Sequence, residues 1–150
     1  MTLQGRTMTS CRLFLVMMAM GARALLHPTA AAGTTLFADL GGSSGIDRIV
    51  DEAVSLWLSD DRIKLDFDNI NPDRLRSRLK SQLCQLTDGP CEYKGRTMEA
   101  SHKGLAVTQA KFNAVAEDLQ TAMERTGVRY WTQNRLMARL APMQRLIVTR

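Results

Sequence analysis

From Gly33 to Arg150 the apolar residues return every three or four positions, and nowhere do they alternate with polar ones over a useful length. A helix buries one face at a period of about 3.6 and a strand at a period of two, so this patterning predicts an all-α chain. Few aromatics and many Leu, Met and Ala lean the same way. At 150 residues there is room for one domain with a core that can close without help from cross-links.

Five or six helices fit the punctuation. In "FADLGGSSGIDRIVDEAVSLWLSDD" a short helix stops at Gly41-Gly42. A second is expected from Ser44, with Ile46, Ile49, Val50, Ala53, Val54 and Trp57 on one face, ending at Asp60-Asp61. Asn71-Pro72 is a good start for a third, which carries Leu75, Leu79, Leu83 and Leu86 in a stripe flanked by Arg74, Arg76, Arg78 and Lys80, until "TDGP" stops it. "TMEAS" opens a short helix bearing His102. Thr108 is the expected N-cap of the next, whose buried face is Phe112, Val115, Ala116, Leu119 and Met123. The last helix is expected from about Tyr130 to Val148, kinked at Pro142.

The net charge of +5 suggests nucleic acid until it is mapped. Arg6, Arg12 and Arg23 all lie in residues 1–32, which contain no acid, and setting these three aside leaves +2. No basic stripe interleaved with aromatics remains, so no nucleic-acid partner is expected. Residues 1–32 have a basic start, an apolar run from Leu13 to Ala22 and small residues ending in Ala30-Ala31-Ala32. That is the three-part pattern of a secretory signal, with cleavage expected after Ala32 and the domain in residues 33–150. The run is too short for a permanent membrane anchor. An exported, periplasmic location follows. An uncleaved amphipathic tail is the competing reading.

Cys84 and Cys91 enclose "QLTDGP". In continuous helix their Cα atoms would stand about 10 Å apart, beyond the roughly 7 Å reach of a disulfide, but a turn at Asp88-Gly89-Pro90 can bring them together. Export would leave them oxidised, against the alternative of two free thiols. A zinc site of Cys84, Cys91 and His102 is disfavoured, because six residues between the cysteines is not the usual ligand spacing.

His27 precedes the expected cleavage point, which leaves His102 as the one histidine of the mature chain. A multi-histidine metal cluster is thereby excluded, and no serine or cysteine motif announces a triad around it. Two readings stay open for His102: a hydrogen-bonded structural residue, or a lone axial ligand.

The segment "GRTMEASHKGLAVTQAKF" resembles the proximal region of the group 1 truncated, two-over-two globins. So, in order, do Gly41-Gly42, "LSDDRIKLDF" leading to Phe67, "DGPCEYKGRTM", and "LAP" in the last helix. The resemblance runs from about Leu36 to Ile147. It implies a haem b cofactor whose iron is ligated by His102, with Phe67 against the ring and Met98, Phe112 and Val115 lining the proximal side. It also implies a charge-assisted contact from Arg78 to a haem propionate, where a solvated arginine is the plainer alternative.

The distal side departs from the family. Ala53 and Val54 stand where many members have Phe-Tyr, Leu79 stands where a glutamine often assists, and Leu75 fills the other position. An apolar distal set of Val54, Leu75 and Leu79 gives no donor to a diatomic ligand that gathers negative charge, so O2 should leave fast relative to CO or NO. Gln82, three residues beyond Leu79, is the candidate substitute donor, and Trp57 either fills the volume of the missing tyrosine or packs the core. The resemblance thus implies binding of a diatomic gas, with an external electron donor if the iron turns over. Dioxygenation of NO, known in the family, is disfavoured by the apolar distal side. The alternative is a haem-free globin serving as a binding or sensor module. N-terminal sequencing of exported protein is expected to begin at Gly33, and a retained Met1 would refute processing.

Overall fold

The computed structural model describes residues 34–149, so the expected signal segment lies outside the described residues. Seven α-helices follow in order: α1 (Leu36–Asp39), α2 (Gly42–Trp57), α3 (Pro72–Leu86), α4 (Met98–His102), α5 (Gln109–Arg125), α6 (Tyr130–Leu140) and α7 (Gln144–Ile147). Short 3-10 turns occupy Lys64–Phe67 and Ala141–Met143. Among the described residues there is no strand, as the periodicity predicts.

The helix starts follow local chemistry. The side chains of Thr35, Asn71, Thr97 and Thr108 each accept a hydrogen bond from the backbone N–H three residues on, which satisfies one of the donors that a helix start leaves free. Gly41 and Gly42 take φ of 90° and 65°, the left-handed region that glycine enters without steric cost, and this lets the chain turn directly from α1 into α2. The second helix accordingly begins at Gly42 and not at Ser44. The expected last helix is divided: Pro142 has no N–H to donate, the backbone tightens into a 3-10 turn there, and α7 forms a separate four-residue helix.

The core gathers on α2, which packs against α3 and α5 and meets α1 at its start. Its whole predicted face, Ile46, Ile49, Val50, Ala53, Val54 and Trp57, is buried, joined by Leu36, Leu40 and Ile63 and by Leu119, Met123 and Leu136 from α5 and α6. On α5 the prediction holds in part. Leu119 and Met123 are buried, whereas Phe112, Val115 and Ala116 are only half-buried, because the near end of that helix borders a cavity. Among the described residues no helix is long and apolar enough to cross a membrane.

One buried acid opposes the fold at neutral pH. Asp118 of α5 is buried, its Oδ2 has no hydrogen-bond partner among the described residues, and its Oδ1 lies 3.7 Å from Arg62, which is already engaged by Asp60 and Glu117. Burial, reinforced by the neighbouring Asp60 carboxylate, pushes the Asp118 carboxyl above its ordinary value, and Arg62 offsets this only in part. A carboxyl whose pKa is raised on folding contributes stability below its unfolded pKa and loses it as pH rises through the folded value. Asp118→Asn is therefore expected to be more stable than the unsubstituted chain near neutrality, with the advantage shrinking as pH falls toward the ordinary aspartate range. Urea denaturation across that interval checks this, and an advantage that grows on acidification would sink the account.

Candidate functional site

A cavity of about 1060 Å³ opens between α2 and α3 on one side and α4, α5 and the α6–α7 junction on the other. Its walls are mainly apolar, and its size lies at the top of the range usual for small-molecule and cofactor sites. The α2 wall is built by Val50, Ala53 and Trp57, and the α3 wall by Leu75, Leu79, Gln82 and Leu83. Facing them are Met98 and His102 of α4 and Phe112, Val115 and Ala116 of α5.

His102 is half-buried at the end of α4. Its Nδ1 lies 2.8 Å from the carbonyl oxygen of Met98. A carbonyl can only accept, so Nδ1 carries the proton and donates, which leaves the Nε2 lone pair without a protein partner among the described residues. Thr97 starts the five-residue helix that sets this geometry, placing Met98 one turn ahead of His102.

Phe67 reaches the cavity from the 3-10 turn Lys64–Phe67 and stacks on Trp57, ring centroids 5.9 Å apart and planes 12° from parallel. The indole N–H of Trp57 donates to the Val115 carbonyl at 3.1 Å. Trp57 is thus both core and cavity wall, and its one donor is already used. Gln82 points its amide at sulfur: Nε2 lies 3.4 Å from Met98 Sδ and 3.8 Å from Met143 Sδ.

Of the distal residues expected from sequence, Leu75 and Leu79 line the cavity and Val54 does not. Val54 is fully buried within the core cluster. The residue before it, Ala53, is the one that lines the cavity. Arg78 stands at the mouth with no carboxylate partner among the described residues, unlike Arg76 and Lys80 on the same helix, which pair with Asp51. The segment Tyr93, Lys94, Gly95 and Arg96, quoted within "DGPCEYKGRTM" but given no site role from sequence, forms part of the rim. It has no helical period, so its place between Cys91 and α4 was the signal for a role at the rim.

Cys84 and Cys91 form a disulfide, their Cα atoms 5.7 Å apart. The reversal between them depends on Gly89, where an added Cβ would come within 2.7 Å of the Cys84 carbonyl oxygen and sulfur. Arg139 of α6 clasps the same turn, donating to the Leu86 carbonyl at 2.6 Å and pairing with Asp88 at 2.7 Å. The guanidinium holds the Asp88 carboxyl below its usual value. The end of α3 is so tied to the rim segment that leads into His102.

Comparison with known proteins places this architecture. The description of a bacterial-like globin matches residues 35–149. The chain is 34% identical to the group 1 truncated haemoglobin of Nostoc sp. (strain MUN 8820) over 95 residues, 63% of this chain and 80% of that one. It is 33% identical to the group 1 truncated haemoglobin of Tetrahymena thermophila over 94 residues, covering 63% and 78% of the two chains. Among solved structures, the Fe(III) form of truncated haemoglobin from Tetrahymena pyriformis superposes with a TM-score of 0.75 at 26% identity, over 78% of this chain and all of that one. The chain belongs to the bacterial-like globins and, within them, to the group 1 truncated haemoglobins, the two-over-two fold expected from its motifs. The cofactor of that family is haem iron. The cavity suits it, with apolar walls, cations at the mouth and one imidazole offering a free Nε2.

Replacing both Cys84 and Cys91 by serine is expected to cost about 2–3 kcal/mol, the chain-entropy value for so short a loop. Chemical denaturation with and without reductant measures it. An unsubstituted chain indifferent to reductant would contradict a stabilising cross-link.

Proposed function

We propose that His102 Nε2 would ligate the iron of haem b and that a diatomic gas would be held against the wall formed by α2 and α3. The observation that carries this reading is the 2.8 Å bond from His102 Nδ1 to the Met98 carbonyl. That bond fixes the ring's tautomer and orientation, as the outer hydrogen bond of a metal-ligating histidine does. When bound, haem supplies the iron at which O2, CO or NO is held.

The chain's own residues do the rest. Phe67, braced by Trp57, and Met98, Phe112 and Val115 give the ring apolar walls, and Arg78 at the mouth offers its unpaired guanidinium to a propionate. On the gas side Ala53, Leu75 and Leu79 exclude water and present no donor. The Trp57 N–H is spent on Val115, and the Gln82 amide faces sulfur. O2 gathers more negative charge than CO on binding, so an apolar wall holds it less well and favours CO and NO. The Cys84–Cys91 disulfide supports an exported protein, since such bonds persist in oxidising compartments.

The chain reconstituted with haem is expected to show a Soret band that is lost or shifted in His102→Ala. Leu79→Gln, which restores a donor to the α3 wall, should slow O2 dissociation about tenfold, the value of one charge-assisted hydrogen bond, while changing CO dissociation little. An unchanged spectrum in His102→Ala would remove the axial assignment. An unsubstituted chain that already releases O2 slowly would remove the apolar-pocket reading.

A further inference from the structure

The amide of Gln82 is poorly matched to its surroundings. It lines an otherwise apolar wall, half-buried, and the partners of its Nε2 are two thioether sulfurs, Met98 Sδ at 3.4 Å and Met143 Sδ at 3.8 Å. Sulfur is a weak acceptor, so a good donor is left largely unrewarded in a setting of low polarity. Adding an oxygen to either sulfur would supply a strong acceptor where the N–H already points.

We propose that Met98 and Met143 are a site of oxidation by hydrogen peroxide, with the Gln82 amide directing the oxygen to their sulfurs. The sulfur lone pair attacks the nearer peroxide oxygen and an S–O bond forms as the O–O bond breaks. The electron pair of that bond leaves with the far oxygen, which takes the proton from the near oxygen and departs as water. The sulfur is oxidised by two electrons, the peroxide is reduced by two, and the product is methionine sulfoxide. As its proton is taken, the transferred oxygen becomes the negative end of the S–O bond, within reach of Gln82 Nε2–H, which stabilises it.

The product changes the cavity on its histidine side. A flexible apolar side chain becomes a polar one that ties α3 to α4 or to the 3-10 turn before α7, and the lesion is of a kind that reductases reverse. Met98 also holds His102 through its carbonyl, so the mark is written one helical turn from the imidazole. The chemistry needs the cavity and the amide but not the iron, and so stands apart from the axial assignment of His102.

The chain contains its own control. Met137 lines the same cavity and is half-buried like the other two, but its sulfur accepts no amide hydrogen bond among the described residues, while Met123 is fully buried. Tryptic cleavage places the four on separate peptides, residues 97–103, 112–125, 136–139 and 140–145. The full chain, loaded with haem and free of it, is treated with limiting hydrogen peroxide, and the gain of one oxygen is followed on each peptide by mass. Met98 and Met143 are expected to react about fivefold faster than Met137, the effect of one net hydrogen bond. Gln82→Leu and the near-isosteric Gln82→Glu, which has no N–H to offer, should both bring them to the Met137 rate. Equal rates in the unsubstituted chain overturn the proposal, as does a preference that survives both substitutions. Loss in the leucine variant alone traces to repacking and overturns it too.

Discussion

A chain of this size that keeps a cavity of about 1060 Å³ must hold the walls apart from outside, because interiors otherwise close to crystal-like density. The constraint falls on α2. The whole apolar face of that helix, Ile46, Ile49, Val50, Ala53, Val54 and Trp57, is locked into the core cluster, and Val50, Ala53 and Trp57 also line the open space. Core packing of the face as a whole fixes where its cavity-lining residues stand. The α5 helix is divided along its length in the same spirit, closed at Leu119 and Met123 and half-open at Phe112, Val115 and Ala116. Polar clasps do at the far end what packing does here: the disulfide and Arg139 hold the end of α3 against the rim.

Much of this was legible in the sequence, because it rests on local chemistry. The caps at Asn71 and Thr108, the break at Gly41-Gly42, the pairing of Cys84 with Cys91 and the bend at Pro142 depend on residues a few positions apart. The facing of α2 was less so. Periodicity identifies an apolar face but not which of its buried residues also meet the cavity, as Ala53 does and Val54 does not. A short valine turned into the core cannot contribute to the space that a longer side chain at the same position could enter.

What sequence could not show are encounters between distant residues. Nothing local says that the Trp57 N–H is consumed by Val115, that the Gln82 amide meets Met98 and Met143, or that Arg62 is shared among Asp60, Glu117 and Asp118. These contacts decide which donors are free and which acids are strained. The electrostatic character of the cavity is set less by which polar residues the chain has than by which of them are already occupied.

The stack of Trp57 on Phe67 has an optical consequence. The two tryptophans stand in opposite settings: Trp57 is buried in the cavity wall, and Trp131 is exposed at the start of α6 with Arg129 over its ring. Emission from Trp131 reports the solvent, while that of Trp57 responds to whatever absorbs light or moves charge within the cavity. The fold thus carries a fluorescent gauge of its own occupancy, with a second indole as the internal reference.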